Sequence, residues 1–107
     1  VKPVDRIALI GVGAVGGSIG GALRAQGLAG EVRGFDPVNG EAARRAGLID
    51  RVAGSLEEAV QGAAIVILAA PVQVNCALLG DPRLRTALAP TAAGRRPLGS
   101  ICCGMRT

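Results

Sequence analysis

Two kinds of hydrophobic pattern alternate along this chain. Short unbroken aliphatic runs, such as RIALIG at 6–11 and AIVILAAP at 64–71, are separated by stretches whose apolar residues recur every three or four positions. Runs of four to eight aliphatic residues with no polar alternation predict strands buried on both faces. From Ala14 to about Gln26 the spacing is helical, with Val15, Ile19, Ala22 and Leu23 on one face. Gly27 then stands where a helix takes its left-handed cap. EVRGFD predicts a second strand ending on an acid, PVNGEAARRAG a turn and a short helix closed by Gly47, and IDRVA a weak third strand. SLEEAVQGA opens with a capping box, in which Ser55 accepts from the Glu58 backbone and Glu58 reaches back. AIVILAAP is the strongest strand of all and stops at Pro71. Strands alternating with helices in this order predict a parallel sheet with crossover helices on both faces.

The pattern weakens after about Leu79. One short helix is expected after Asp81-Pro82. In the stretch TAAGRRPLGSICCGMRT only LGSICC reads as a strand, and the residues from 90 to 107 are an uncertain tail.

The first helix begins in a motif that changes the picture. Gly11, Gly13 and Gly16 match G-x-G-x-x-G between a strand and a helix, the context in which that motif binds dinucleotides. Gly11 takes the tight turn, Gly13 lets the backbone approach a pyrophosphate, and Gly16 lets the helix pack closely on the sheet. The helix start offers the N–H groups of Val12, Ala14 and Val15 as an anion site without any side-chain cation. Asp36 ends the second strand 20 positions beyond Gly16, about the spacing of a carboxylate that accepts from the adenosine ribose hydroxyls. The bland alternative is that Asp36 only opens the turn DPVNG. Ala70-Pro71 ends the strongest strand and leaves a small, donor-poor ledge where ligands lie in open α/β sheets. Pro71 also suits the start of the next helix. Gly17, Gly20 and Gly21 extend the small-residue face of the first helix and are read as packing. The fold class expected is thus α/β, a Rossmann-like NAD(P)-binding domain spanning residues 1–107. The cofactor expected is NAD, because a carboxylate at Asp36 would repel the 2′-phosphate of NADP. Asp36→Ala is expected to weaken NAD without unfolding the domain.

Composition narrows the alternatives. Of 107 residues half are hydrophobic, yet only one is aromatic, so the stacking surfaces of single-strand nucleic-acid binders are missing. The net charge of +4 comes from scattered arginines, read as solvated surface, and no nucleic-acid partner is expected. With three cysteines, no C-x-x-C and no histidine, neither a metal site nor a disulfide framework is expected. Three thiols fit a reducing compartment. VKPVDR is not a signal peptide, and no apolar run reaches membrane-spanning length. The expected setting is therefore cytoplasmic, with no membrane partner.

The stretches IALIGVGAVGGSIGGALR, GFD and GLIDRVAGSLEEAVQGAAIVILAAPV together resemble the N-terminal domain of the prephenate and arogenate dehydrogenases, from about Arg6 to Leu79. Gly16-Gly17-Ser18, GLID, SLEEA and the A-P-V strand exit carry the likeness jointly. The resemblance implies oxidative decarboxylation of prephenate to 4-hydroxyphenylpyruvate in tyrosine biosynthesis, with hydride passed to NAD. It implies that Gly11, Gly13 and Gly16 hold the pyrophosphate and Asp36 the ribose. It also implies a further strand ending in Gly-Ser, a catalytic histidine, and a helical domain that completes the substrate site and dimerises. The sequence departs from that pattern by having no histidine and no second domain. Gly99-Ser100 could stand for the Gly-Ser pair, but RRPLGSICCGMRT around it does not match. Likeness and periodicity fade together near Pro90. The expectation is a cofactor-binding fragment, shortened by truncation or a change of frame, with no catalytic residue of its own. It would meet a small-molecule substrate only in a full-length form, and would self-associate through an exposed sheet edge. Ketopantoate reductase, pyrroline-carboxylate reductase and hydroxyacid dehydrogenases share a glycine turn of this sort, and a non-catalytic nucleotide-binding module is a further alternative. GLID and SLEEAVQGA favour the first family.

Overall fold

The computed structural model describes residues 4–88 and 99–102. Its elements run β1 (Val4–Ile10), α1 (Ala14–Ala25), β2 (Ala29–Phe35), α2 (Gly40–Arg45), β3 (Arg51–Val52), α3 (Leu56–Val60), β4 (Ile65–Leu68), α4 (Val72–Leu79), α5 (Pro82–Leu88) and β5 (Gly99–Cys102). All strand pairs are parallel, in the order β3-β2-β1-β4-β5. From β1 the chain steps to β2 on one side and later returns to β4 on the other. The strand order therefore reverses beside β1, which in an open α/β sheet is where a ligand crevice forms.

Both faces of the sheet are covered, as the unbroken aliphatic runs predict. Ala8, Ile10, Val66 and Leu68 pack against Leu56, Ala59 and Val60 of α3 and Leu84 of α5. Ile7, Leu9, Val32 and Ile67 face the other way, toward Ala43 of α2, Ile49 and the partly buried Ile19 and Leu23 of α1. The period of two along β1 thus feeds two cores rather than one core and solvent.

Local signals account for most helix ends. Gly27 and Gly47 both have positive φ, +64° and +79°, and close matching Schellman turns. The Leu28 N–H donates to Leu23 O at 3.1 Å, and the Leu48 N–H to Ala43 O at 3.0 Å. Ser55 Oγ accepts from the Glu58 N–H at 3.1 Å, and Glu58 reaches back to the Gly54 N–H at 3.0 Å. The helix expected after Asp81-Pro82 is α5.

The face of α1 differs from the amphipathic expectation. Gly16, Gly17 and Gly20 are its buried residues, while Ala22 is exposed and Val15, Ile19 and Leu23 are only partly covered. The glycines bring the helix backbone so close that little side-chain surface fits beneath. A Cβ on Gly20 would strike the Leu48 carbonyl oxygen, and one on Gly17 would lie 3.0 Å from Leu48 Cδ1. These glycines therefore seat the GLID segment as well as the sheet. Ile49 fills the notch left by Gly34, and the Asp50 carboxylate accepts from the Val32 N–H at 2.7 Å and pairs with Arg24 at 3.0 Å.

The strand read in LGSICC is β5, which pairs along the whole length of β4 and makes β4 an interior strand. Gly99 and Ser100 align with Ile65 and Val66, at the start of β5. A Gly-Ser pair ending a strand at the ligand side would lie at the opposite end, so these two residues do not take that position.

Candidate functional site

β1, β2 and β4 end together around a mainly apolar cavity of about 400 Å³, within the usual range for small-molecule sites. Its floor is the glycine turn, with Ile10, Gly11, Gly13, Ala14 and Val15. One wall is the exit of β2, with Phe35, Asp36, Pro37 and Asn39. The other is the exit of β4 and the start of α4, with Ala69, Ala70, Pro71, Val74 and Leu78.

The turn is built by steric necessity. Gly11 has φ +94°, and a Cβ there would sit 2.7 Å from the Ala70 nitrogen. Only glycine meets both constraints. Gly16 faces away from the cavity, where a Cβ would strike the Gly11 carbonyl oxygen and press within 3.3 Å of Ala69 Cβ. Gly13 is the opposite case, since a Cβ there would meet nothing within 4 Å and would project into open space. That gap leaves the Gly13 backbone open to the cavity. Gly13 is also the N-cap of α1, and neither it nor any acid in the first turn caps the helix through a side chain. The amides of the first turn, at the positive end of a 12-residue helix, are therefore open to an anion.

Of the nine residues expected at the site, seven line the cavity: Gly11, Gly13, Ala14, Val15, Asp36, Ala70 and Pro71. Val12 and Gly16 stand behind its wall. The Val12 side chain is buried in the core, and its N–H donates to Asp36 Oδ2 at 3.1 Å.

Asp36 opens the turn DPVNG, and it also holds the glycine turn. Its Oδ1 accepts from the Val38 and Asn39 N–H groups, each at 2.9 Å, which ties the turn DPVN. Its Oδ2 accepts from Val12 and from the Asn39 amide at 3.2 Å, which ties β2 to the glycine turn. Partial burial pushes its carboxyl up. The hydrogen bonds from Asn39, Val12 and Val38 outweigh that and hold it below the usual carboxylate range. The group is thus an anchored anion at the rim, hostile to a phosphate. Arg44 and Arg45, the first cations after Asp36 along the chain, pair with Glu41 on α2 and do not line the cavity.

Pro71 is the N-cap of α4, one position earlier than a first-turn proline, and its carbonyl accepts from the Asn75 N–H at 3.0 Å. Asn75 was not singled out from the sequence. A lone amide in a helix reads as a solvent-facing residue, and only the fold shows it turned inward and fully buried.

The family described as NADP oxidoreductase, coenzyme F420-dependent, matches residues 6–88. The chain belongs to that family. Among solved structures, this member is similar to prephenate dehydrogenase from A. aeolicus, crystallised with hydroxyphenyl propionate and NAD+, at 27% identity and a TM-score of 0.65 over 80% of the chain. Synechocystis arogenate dehydrogenase is 30% identical, with a TM-score of 0.65 over 81%. In both matches the chain spans 30% of the other protein's length. An imine reductase from Myxococcus stipitatus, 20% identical at a TM-score of 0.61, shares the fold. No curated protein sequence matches the chain. The resemblance to the N-terminal domain of prephenate and arogenate dehydrogenases holds, and so does the Rossmann-like class. No helix among the described residues is long and apolar enough to cross a membrane, and none of their side chains cluster as a metal site.

Proposed function

We propose that this family member is the dinucleotide-binding unit of an NAD-dependent dehydrogenase of the prephenate/arogenate type. The observation that carries the proposal is the pairing, around one cavity, of open first-turn amides at Gly13–Val15 with the anchored carboxylate of Asp36 and no lining cation. The amides and the helix dipole hold the pyrophosphate, and Gly13 supplies the clearance it needs. Asp36 accepts from the adenosine ribose hydroxyls, and the Ala70-Pro71 ledge packs apolar surface along the bound molecule. When bound, NAD supplies the hydride-accepting ring, a chemistry that belongs to the cofactor. NADP, which the family description names, is the weaker fit. Its 2′-phosphate would meet the Asp36 carboxylate, while Arg44 is occupied by Glu41.

In the whole protein the reaction is the oxidative decarboxylation of prephenate or the corresponding step on arogenate. The likeness to the A. aeolicus and Synechocystis enzymes supports this. This chain alone is expected to bind without turnover, because Asp36 is the one ionisable group lining the cavity among the described residues. It is committed to the ribose side. Calorimetric titration should give saturable NAD binding with NADP at least about tenfold weaker. Binding of neither, or a preference for NADP, would refute the cofactor assignment. Robust prephenate-dependent NADH formation by this chain would refute the assignment of binding without turnover. Self-association through a sheet edge is expected, and among the described residues β3 and β5 are the outer strands. A monomer independent of concentration in sedimentation would exclude it.

A further inference from the structure

The Asn75 side chain is fully buried at the foot of the cavity wall, yet it makes no direct contribution to the lining. Its Oδ1 accepts from the Ala70 N–H at 3.1 Å, and its Nδ2 donates to the Ala70 carbonyl at 2.8 Å. A weaker contact runs from Nδ2 to Leu68 O at 3.4 Å. One side-chain amide thus pairs with both polar groups of one residue, as a neighbouring strand would, at the point where β4 has ended. Two consequences follow. The Ala70 N–H and carbonyl are turned away from the cavity, so the ledge presents carbon to a ligand. Ala70 is also held against the glycine turn, where a Cβ on Gly11 would lie within 2.9 Å of its nitrogen and Cα. Asn75 thus holds Ala70, and Ala70 lies against Gly11, two residues before Gly13.

We infer that Asn75 is a positioning residue for dinucleotide binding: by clamping Ala70 it sets the spacing between the β4 ledge and the phosphate-holding turn. The inference rests on the proposed NAD site and deepens it. Asn75 touches no cofactor atom and acts through Ala70.

The test is Asn75→Asp, chosen because its two protonation states differ in just this clamp. A neutral carboxylic acid offers one acceptor and one O–H donor, enough to satisfy the Ala70 N–H and carbonyl together. The ionised form offers acceptors only and faces the Ala70 and Leu68 carbonyls, and burial there pushes its pKa up. Across the cavity the ionisable group is Asp36. Around α5 they are Asp81, Arg83 and Arg85, and beside Asn75 on α4 is Cys76, which is exposed. Carboxylates and guanidinium groups do not titrate between pH 6 and 8, the chain has no histidine, and Cys76 does not line the cavity. NAD affinity of the unaltered chain should therefore change less than about threefold over that range. The folded variant should bind NAD at least tenfold more weakly than the unaltered chain at pH 8 and recover most of that at pH 6. A folded variant that binds as the unaltered chain does at both pH values would overturn the inference. So would a loss that pH 6 does not repair.

If the variant fails to fold at pH 8, the unaltered chain decides by NMR. Saturation with NAD should shift the Asn75 side-chain NH2 signals together with the Ala70 amide, at one dissociation constant. Stationary Asn75 signals at saturation would overturn the inference while leaving the site itself intact. Failure of the unaltered chain to bind NAD would instead refute the site, and the inference with it.

Discussion

Replacing Asp36 by Ala should do more than weaken a ligand. On composition alone an exposed acid in a turn is expendable, but four hydrogen bonds end on this carboxylate. The Val38 and Asn39 N–H groups are exposed and regain water, so their loss resembles that of a helix N-cap, about 1 kcal/mol. The Val12 N–H belongs to a buried residue, and leaving it unpaired costs about 1–3 kcal/mol. Together the substitution should cost roughly 2–4 kcal/mol. For a domain of this size that is a fall in Tm on the order of 10–20 °C. Against a typical stability of about 5–15 kcal/mol the variant still folds at 25 °C. Thermal unfolding by circular dichroism at pH 7 measures the difference, and calorimetry at 25 °C measures the loss of NAD affinity separately. The carboxyl is held below its ordinary value in the folded chain. Its contribution is therefore complete above the unfolded value of about 3.9 and is lost as pH falls through the lower folded value. The gap between the unaltered chain and the variant should close below about pH 4. A variant melting within about 2 °C of the unaltered chain at pH 7 would show that Asp36 does not tie the turn, far short of the shift expected from its hydrogen bonds.

The glycine turn offers a paired contrast. Gly13→Ala should leave Tm nearly unchanged and reduce NAD affinity at least tenfold, because its Cβ enters open space at the cavity. Gly16→Ala should instead destabilise the fold by about 1–3 kcal/mol or more, because its Cβ meets the Gly11 carbonyl. Equal effects of the two on Tm would contradict the division of roles. Glu31→Gln should cost about 2 kcal/mol by chemical denaturation, since it removes the carboxylate 3.0 Å from the buried Arg33. Burial pushes the Glu31 carboxyl up, but Arg33 and Arg6 outweigh it and hold it below its ordinary value of 4.5. This contribution, too, should be present above that value and fade as pH falls below it. A Glu31→Gln variant as stable as the unaltered chain at pH 7 would show the ion pair to be worth nothing.

Much of the fold was legible because its signals are local. A positive-φ glycine after a helix, a serine three before a glutamate, and unbroken aliphatic runs each act within a few residues, and the sheet follows from their order. The glycine turn and Asp36 were legible for the same reason. What escaped carries no local signal, or pairs with groups that only the fold brings into place. The buried face of α1 is made of glycines, which carry no hydrophobic signal, and Leu48 from the GLID segment fills it. Arg33, a charge inside a central strand, is accommodated by Glu31 beside it and the Glu58 carbonyl from α3, at 2.9 Å. Asn75 has no mark in sequence, because the peptide it pairs with becomes its neighbour only when α4 folds back on the end of β4. The Gly-Ser pair, already at odds with its surroundings in sequence, is settled by register. The residues match the motif, but the register puts them at the wrong end of β5.

Amide chemical-shift mapping of the isotope-labelled chain during NAD titration tests most directly whether bare backbone at the glycine turn holds the dinucleotide. The largest saturable shifts should fall on Gly13, Ala14 and Val15, followed by Val12 and Asn39 around the Asp36 carboxylate. Saturable shifts confined to another surface, or a turn that stays silent while NAD binds, would contradict it.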